Sequence, residues 1–439
     1  MIARASLGAL VLAFAATVVA SAQTPSPTLS NSAGVIIVRQ PDDAASLTGV
    51  DLFVRAGLDR QTLAQNGLAA LTAQSILETP VTIGTSGTTL PLETAAAAMG
   101  GSVSFDVGGR SVRFYVEGGS GGSGALVAVF AQALGTPAFD ATTLHAARLA
   151  LGRKIAQTEQ VPLLVGLEML DRQFFTDANA GLPQDGTATS LAQFVSADVR
   201  GFYVRNYRRG GAVVSAVGAP AILASGILER LAGVLPAGSS SAIVAKVPAL
   251  RGASREMIAH RDIGAPWMVA QFPAPAFGSK NFGAMLVLAE LMNRGLAEAA
   301  QVPNVISRTI SENAVGSIYN FDQRPANLVI YVDGGLGDAS STFSNTLAFV
   351  KVIDMVKLTG SFGEFKALAQ GDYIANATRL SDRAMLAGEF AMDGGSADYL
   401  NGALAAIAAV TPADVQRVAR TYLGNPVIAL IVPREAGSQ

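Results

Sequence analysis

Cysteine and histidine, the side chains that most often bind transition metals, are nearly absent from this 439-residue chain. The sequence has no cysteine, which excludes disulfides, thiolate zinc sites and cysteine nucleophiles together. It has only two histidines, His145 and His260, and they lie far apart along the chain. A mechanism that needs two imidazoles close together in the sequence is therefore excluded, and we expect no metal and no cofactor.

The composition is that of a folded protein with a large core. Half of the residues are hydrophobic and only 15% are charged, which argues against a disordered or polyampholyte chain. The formal net charge of -2 lacks the basic excess of nucleic-acid-binding proteins, so we expect no nucleic acid partner. The length suggests two or more units of ordinary domain size.

Residues 1–22 are typical of a secretory signal peptide. Arg4 supplies the positive start, Leu7–Ala20 is a largely apolar run, and Ala20–Ala22 forms an A-x-A cleavage site. The run is shorter than the about 20 residues of a spanning helix, and an uncleaved anchor is the alternative. We therefore expect a periplasmic or secreted chain that has no membrane contact after cleavage behind Ala22.

Alternating and periodic patterns predict a mixture of strands and helices. Short alternating or apolar runs predict strands at Val35–Val38, Val50–Arg55, Ser102–Val107, Ser111–Val116, Ala212–Gly218, Trp267–Phe272, Leu328–Asp333 and Val427–Val432. Longer periodic runs predict helices between Gly67 and Pro80 and at Leu92–Met99, Gly124–Leu134, Asp140–Gln157, Ser196–Tyr207 and Phe282–Ala300. The Pro/Ser/Thr-rich segment Thr24–Ser32 is expected to lead into the first strand without forming one.

The second half of the sequence repeats the pattern of the first. Ser196–Arg200 leads through a helix to Tyr207 and an apolar strand, and Pro412–Gln416 leads in the same way to Tyr422 and an apolar strand. This repetition predicts an α+β fold of two homologous units. Each unit would be an antiparallel or mixed sheet with helices packed on one face.

The repeat also predicts where the units begin and end. Residues 23–235 would form the N-terminal unit and residues 257–439 the C-terminal unit. Between them, residues 236–256 begin with a Pro/Gly/Ser-rich segment that is typical of a linker. This linker is not fully polar, so we expect part of it to pack on the surface.

The order of these segments resembles the pitrilysin/insulinase family of zinc peptidases over the whole mature chain. Each segment is weakly specific alone, but their order and spacing together are specific: Ala56–Gly57, Gly67–Gln74, Met99–Ser102, Phe202–Tyr207 and Val217–Gly218. The resemblance implies that a chain of this length forms half of a clam-shell peptidase chamber.

The zinc-binding motif of the resembling family is absent from this sequence. That family carries H-x-x-E-H on a helix, where two imidazoles bind zinc and the glutamate activates its water. By the resemblance, the motif positions are Ala70, Ala73 and Gln74, and the downstream glutamate belongs within Ala150–Lys154, which has no carboxylate. Methyl and amide groups do not replace imidazoles as zinc ligands. The resemblance therefore implies a degenerate, non-catalytic member of the bacterial processing-peptidase-like type.

The resembling family also uses an arginine and a tyrosine in its second half to hold the substrate carbonyl. In the register that the resemblance favours, Ala300 takes the arginine position and Ser307 the tyrosine position. Arg294 and Arg308 lie close by, so this second alignment stays open.

One binding feature could survive the loss of the metal. In the resembling family, the strand that corresponds to residues 102–106 lies at a sheet edge and pairs with the substrate backbone. This implies peptide contacts by Ser102, Val103, Ser104, Phe105 and Asp106, because strand addition needs only unpaired backbone groups. An ordinary hairpin strand is the alternative.

The resemblance thus implies a non-catalytic pseudo-peptidase subunit of a periplasmic zinc metallopeptidase heterodimer. This subunit would shape the chamber, bind peptide or unfolded polypeptide, and stabilise a zinc-bearing partner of the same family. Two alternatives stay open: a stand-alone peptide-binding or scaffold protein, and a peptidase with an unrecognised site.

Overall fold

The computed structural model describes most of the chain outside the predicted signal peptide. The described residues are 26–84, 87–175, 179–240, 255–300, 315–321, 326–335, 339–353, 362–377, 379–392 and 397–434. The signal peptide and most of the predicted linker lie outside these residues, so both stay predictions, as do the predicted boundaries of the two units.

The first half of the chain builds a six-stranded sheet. In chain order its strands are β1 (Thr28–Ser32), β2 (Val35–Pro41), β3 (Leu47–Val54), β6 (Gly101–Val107), β7 (Val112–Gly119) and β8 (Val213–Gly218). Between β3 and β6, the strands β4 (Pro80–Ile83) and β5 (Thr88–Pro91) form a small separate hairpin. The strands lie in the order β1-β2-β8-β3-β7-β6. Strands β2 and β8 are parallel, and the other neighbours are antiparallel.

The helices of the first half pack mainly on one face of this sheet. They are α1 (Leu68–Leu77), α2 (Leu92–Ala98), α3 (Ser123–Gly135), α4 (Ala141–Thr158), α5 (Pro162–Phe174), α6 (Ala188–Ala192), α7 (Ser196–Asn206), α8 (Pro220–Leu223) and α9 (Ile227–Val234). The core between helices and sheet contains Leu52, Phe114 and Phe130. Local signals set the helix ends: Asp140 accepts from the Thr143 N–H and so caps α4.

The second half builds a five-stranded sheet with the same connections. Its strands are β9 (Arg255–Arg261), β10 (Trp267–Pro273), β11 (Val315–Asn320), β12 (Asn327–Asp333) and β13 (Val427–Pro433), in the order β11-β12-β10-β13-β9. Strands β9 and β13 are parallel and the other neighbours antiparallel. The order β11-β12-β10-β13-β9 matches the order β6-β7-β3-β8-β2 of the first sheet, in which β1 is an additional edge strand. This match confirms the predicted repeat.

The described helices of the second half pack mainly on one face of the second sheet. They are α10 (Phe282–Ala300), α11 (Ala339–Val352), α12 (Phe362–Asn376), α13 (Leu380–Met392), α14 (Tyr399–Ala408) and α15 (Pro412–Tyr422). Their core contains Met268, Met285 and Leu288. The predicted α+β class with two homologous units is confirmed. Among the described residues, no helix is long and apolar enough to cross a membrane.

Each half also contributes one helix to the sheet of the other half. This helix packs on the face of that sheet that its own helices do not cover. Helix α13 packs on β3 and β8, so that Phe53 and Val213 join the core of the second half. Helix α5 packs on β10 and β13, where Leu163 contributes to a cluster with Val269 and Ile431. The two units therefore exchange a helix, and each sheet is covered on both faces.

Two strand pairs were not indicated by the sequence. Strand β1 forms within the Pro/Ser/Thr-rich lead and pairs with β2 through a turn at Ala33–Gly34, where both residues have positive φ. The hairpin of β4 and β5 lies between Pro80 and Pro91. Strand β1 and the hairpin of β4 and β5 are mostly polar and mostly exposed or half-buried, so no apolar alternation marks these three strands.

Candidate functional site

By the resemblance, helix α1 carries the positions at which the resembling family binds zinc. A glycine precedes its first residue. Gly67 has a left-handed backbone (φ 88°) at the N-terminus of α1, and Gly186 of a later loop packs directly against it. Asn66 Nδ2 donates to the Pro183 carbonyl at 2.8 Å, which fixes the same loop. Because neither glycine has room for a Cβ, the loop covers the start of α1 closely.

Ala70, Ala73 and Gln74 lie on one face of α1, one helical turn apart. Ala70 and Ala73 are fully buried in the core of the first unit, and Gln74 is 7% exposed. Gln74 Nε2 donates to Glu78 Oε1 at 3.1 Å, so the amide is already engaged on its own helix. This face is packed as an interface between helices.

Helix α4 packs on α1, and the segment Ala150–Lys154 belongs to α4. Leu151 is fully buried there, whereas Lys154 extends to the surface. The Lys154 ammonium group lies 2.9 Å from Asp185 Oδ1 and 5.3 Å from the centre of the Phe105 ring on β6. The segment that would supply a metal-binding carboxylate in the resembling family therefore supplies a cation here.

The side chains on this face do not fit zinc. Two methyl groups and a hydrogen-bonded amide stand at the motif positions, and none of these groups is a zinc ligand. In the part of the chain that the structure describes, no group of three or more His, Asp or Glu side chains could hold a metal ion. This face therefore offers no route for zinc-assisted hydrolysis.

The other predicted site residues are not brought to this face. Ala300 is the last residue of α10, but its side chain is not among those described, and Ser307 lies outside the described residues. Both clamp positions therefore stay predictions. His145 and His260 are exposed on α4 and β9, on different units.

Strand β6 lies at the edge of the first sheet, as the resemblance implied for residues 102–106. Its side chains alternate along the strand. Val103 and Phe105 are buried toward the helices, while Ser102, Ser104 and Asp106 are exposed on the other face. Among the described strands, only β7 pairs with β6. The edge position is thus confirmed, and the peptide contacts stay a proposal.

The hairpin turn after β6 decides which of its backbone groups point outward. The Gly108 N–H donates to the Ser111 carbonyl at 2.8 Å, so this pair is hydrogen-bonded. Bonded and non-bonded pairs alternate along an antiparallel ladder, which turns the N–H and C=O of Val103, Phe105 and Val107 away from β7. These backbone groups form a template for one additional strand.

A network of charges links β6 to the exchanged helix α13. Arg113 Nε on β7 lies 2.9 Å from Asp51 Oδ2 on β3, and Arg113 Nη1 lies 3.4 Å from Asp106 Oδ2 on β6. The same Nη1 lies 3.2 Å from Met385 Sδ on α13. Asp51 is fully buried, and burial raises its pKa to about 7 although Arg113 acts in the opposite direction.

Sequence patterns do not reveal this network. Asp51 interrupts the apolar residues of β3 on the face that the helices of the first half do not cover. On such a face, the sequence pattern alone would indicate an exposed polar residue. The structure covers that face with α13 from the other unit. The only sequence signal is a carboxylate within an otherwise apolar strand, and it does not name Arg113 as the partner.

Comparison with known proteins identifies similar structures but no close relative. No protein-family model and no curated protein matches the chain. A protease from Helicobacter pylori superposes with a TM-score of 0.78 at 14% identity, covering 93% of this chain and 100% of that one. A peptidase M16 inactive domain from Pseudomonas fluorescens superposes with a TM-score of 0.73 at 16% identity, covering 94% of this chain and 99% of that one. A chain of complex III2 from Candida albicans superposes with a TM-score of 0.70 at 14% identity, covering 92% of this chain and 95% of that one.

These likenesses extend over both units of the chain. Each similar structure is matched over nearly its whole length, so the order of the elements and the arrangement of the two sheets are shared. The insulinase-like architecture expected from the sequence is confirmed at this level, whereas the degenerate subtype stays a prediction. The chain has the fold of the M16-like peptidases.

Proposed function

We propose that this chain is a non-catalytic subunit of a peptidase chamber and that its strand β6 binds an extended peptide. One observation carries the proposal: the unpaired backbone edge of β6 lies against a helix whose motif positions are Ala70, Ala73 and Gln74. The element that could hold a substrate keeps its geometry, while the groups that could cleave it are replaced. Peptide binding without cleavage is the activity that this combination supports.

The surface around β6 favours recognition of the peptide backbone over its side chains. Each main-chain hydrogen bond adds about 0.5–1.5 kcal/mol net, so three outward-facing residues give a modest affinity. Ser102 and Ser104 are small and exposed, and the Asp106 carboxylate is already near Arg113. We therefore expect weak sequence preference and a dependence on the surrounding chamber walls.

The proposal includes a zinc-bearing partner of the same fold, because this chain would supply only half of a clam-shell chamber. Two structural neighbours support a paired role: one is an inactive domain of a peptidase M16, and another is a chain within complex III2. In such a heterodimer, this chain would shape the chamber and stabilise the catalytic partner through a large interface. The signal-like segment of residues 1–22 supports a periplasmic or extracellular location.

Peptide binding can be tested by fluorescence anisotropy with labelled extended peptides. Val103→Pro removes an outward-facing N–H and spares the ladder to β7, so we expect the affinity to fall about tenfold. Val103→Ala is the matched control, because it also shortens the buried side chain but keeps the outward-facing N–H, and it should bind like the original chain. Thermal unfolding of both variants separates loss of the edge from loss of the fold. Unchanged affinity of a folded Val103→Pro variant would reject binding through β6.

The partner can be tested by pull-down of the tagged mature chain from its own host, followed by intact mass spectrometry. A stoichiometric second chain that bears H-x-x-E-H would support the heterodimer. Recovery of this chain alone at native expression would reject it and favour a stand-alone peptide-binding protein. Peptide hydrolysis by the purified chain, abolished by one substitution, would instead favour a peptidase with an unrecognised site.

A further inference from the structure

The exchanged helix α13 lies along β3, and the middle of their contact is the buried Asp51. A Cβ on Gly49 of β3 would lie 3.2 Å from the Leu380 side chain of α13, and a Cβ on Gly388 of α13 would overlap the Phe53 ring of β3. The step from Gly49 to Phe53 in the strand and the step from Leu380 to Gly388 in the helix are both about 12–13 Å long. Helix and strand therefore run side by side, and Asp51 lies halfway along their contact.

Helix α13 covers Asp51 with an alanine. Ala384 is the middle residue of the step from Leu380 to Gly388, and it is fully buried. Its methyl group donates no hydrogen bond. Among the described residues, Asp51 Oδ1 is buried without a hydrogen-bond partner, and so is the hydroxyl of Ser215, which lies opposite Asp51 on β8. The covered carboxyl group is therefore only partly satisfied.

Arg113 of β7 is the cation that faces Asp51, and it is shared with a second carboxylate. Its Nε lies 2.9 Å from Asp51 Oδ2, and its Nη1 lies 3.4 Å from Asp106 Oδ2 on β6. Tyr115 of β7, directly opposite Asp51, donates its hydroxyl to Glu117 instead. Strand β7, which the structure describes in full, therefore offers Asp51 the guanidinium of Arg113 and no second donor.

Helix α13 brings two carboxylates toward Asp51, while its own arginine is bonded elsewhere. Asp382 acts electrostatically on Asp51, and Glu389 acts on the guanidinium that faces Asp51. Arg383 of the same helix is paired with Asp42, which follows β2. Burial raises the pKa of Asp51 to about 7, and the carboxylates nearby act in the same direction. The ionised form of Asp51 is thus costly while α13 covers it.

We propose that the contact of α13 with β3 is controlled by a proton: α13 docks on the neutral carboxyl group of Asp51 and opens locally when this group ionises. The neutral group places no charge beneath the helix. The ionised group is covered by the Ala384 methyl as long as the contact is closed, and local opening of α13 lets water reach it. Because α13 belongs to the second half of the chain, the proton sets how tightly the two units are joined. The proposal does not depend on peptide binding at β6.

The pH dependence of this contact has a definite sign. In the closed state Asp51 keeps its proton up to a pKa of about 7, whereas in the open state water returns the pKa toward 3.8. The contact is therefore fully stabilised below about pH 4, and this stabilisation is lost as the pH rises through about 7. In between, the equilibrium constant for opening should rise by up to about tenfold per pH unit.

Hydrogen–deuterium exchange of α13 in the intact chain, measured by mass spectrometry from pH 5 to pH 8, tests the proposal. At each pH the exchange rate of the original chain is divided by that of Asp51→Asn, so the intrinsic effect of pH on exchange cancels. The asparagine keeps a carbonyl group for Arg113 but cannot ionise, so we expect this ratio to rise at least about tenfold over the range. A ratio that stays constant would overturn the proposal, because a purely structural defect changes it by the same factor at every pH.

Two controls show whether the opening is local. The Asp106 side chain is 71% exposed, so Asp106→Asn, which removes the second carboxylate beside Arg113, should give a ratio that does not change with pH. Helix α5 packs on the other sheet, so its exchange ratio between the original chain and Asp51→Asn should also stay constant. An equal rise for α5 and α13 would assign the effect to global unfolding and would overturn local opening.

A hydroxyl group placed above Asp51 should weaken the control by the proton. Ala384→Ser supplies a donor to the ionised carboxylate, so the rise of the α13 ratio between pH 5 and pH 8 should shrink about threefold or more. Ala391→Ser is the matched control, because Ala391 is also buried in α13 but lies about two turns further along. Equal pH responses of these two variants would overturn the placement of Ala384 over Asp51. A failure of peptide binding at β6 would leave all of these measurements unchanged, so the two proposals fail separately.

Discussion

Ala70 and Ala73 occupy positions that the resemblance assigns to the zinc-binding motif. Both residues are fully buried, and α4 and α7 pack against α1. The space that imidazoles would need is occupied by neighbouring side chains of the core. The helix therefore contributes packing energy where the resembling family requires polar ligands.

We predict that Ala70→His lowers the free energy of unfolding by about 1–3 kcal/mol, because a larger side chain overpacks a filled core. The triple variant A70H/A73E/Q74H should still bind no zinc tightly, since Ala150–Lys154 offers no further carboxylate. Urea unfolding measures the first effect, and metal analysis of the dialysed protein measures the second. Stoichiometric zinc in a variant of unchanged stability would contradict both expectations.

Asp171 on α5 makes the docking of an exchanged helix depend on pH. Gln271 Nε2 on β10 donates to Asp171 Oδ1 at 3.0 Å. Burial, with a smaller effect from Glu168, raises the pKa of Asp171 from 3.8 to about 6. The folded chain therefore keeps a proton that the unfolded chain releases between these values. This contribution to stability is complete below about pH 4 and is lost as the pH rises through about 6.

We predict that the Asp171→Asn variant gains up to about 3 kcal/mol in free energy of unfolding relative to the original chain between pH 4 and pH 7. The asparagine keeps a partner for Gln271 but cannot lose a proton. Urea unfolding across this range measures the difference. Asp140→Asn is a control of opposite sign, because the Thr143 N–H lowers the pKa of Asp140. A constant difference between Asp171→Asn and the original chain would contradict the prediction.

At the scale of elements, each of the two exchanged helices, α5 and α13, has a glycine at its contact with the sheet. A Cβ at Gly166 of α5 would lie 2.6 Å from Val269 Cγ2 on β10, and a Cβ at Gly388 of α13 would overlap the Phe53 ring on β3. The missing side chains let each helix backbone lie close to its sheet. The helix positions on the two sheets are therefore fixed by close packing.

We predict that Gly388→Ala lowers the free energy of unfolding by about 1–3 kcal/mol, because the new methyl group displaces the buried Phe53 ring. Gly402→Ala is the matched control: this glycine lies inside α14 with open space around it. Alanine is the better helix former, so the control should gain about 0.5–1 kcal/mol. Thermal and urea unfolding measure both. Equal stabilisation by the two substitutions would show that α13 does not rest closely on β3.

Most elements of the first unit could be predicted because local residues set their limits. Pro80 follows the end of α1, Gly100–Gly101 separates α2 from β6, and the turn at Gly109–Arg110 fixes the hairpin of β6 and β7. The exchanged helices could not be assigned to their sheets. Arg383 of α13 contacts Gln40 of β2, 343 positions away, and no local pattern identifies such a partner.

The same distinction applies to the candidate site: its residue identities could be read from the sequence, but the contacts between distant elements could not. The absence of imidazole and carboxylate groups at Ala70, Ala73 and Gln74 is a property of residue identity, so it can be read from the sequence alone. The pairing of Lys154 with Asp185 and of Arg113 with Asp51 depends on which elements the fold brings together. The edge position of β6 was predicted only through the resemblance, because alternation marks a strand without stating its neighbours.

At the scale of the whole molecule, each unit completes the core of the other. The face of β3 and β8 under α13 includes Phe53 and Val213, which belong to the same core as the helices of the second half. Polar groups also cross between the units: the Tyr399 hydroxyl donates to Gln40 Oε1 at 3.1 Å, and Arg55 Nη2 donates to the Met392 carbonyl at 2.9 Å. A separated unit would expose an apolar sheet face and leave its own exchanged helix without a surface.

We therefore predict that fragments 26–240 and 255–434 do not fold as independent domains. Alone, each should show weak near-ultraviolet circular dichroism, bind a hydrophobic dye and associate nonspecifically, because the exchanged helix it needs is on the other fragment. Co-expressed, the two should assemble into a stoichiometric complex with the dichroism of the intact chain. Gly388→Ala in the second fragment should weaken this complex, whereas Gly402→Ala should not. Two fragments that unfold cooperatively on their own would show that the helix exchange joins units which are already stable.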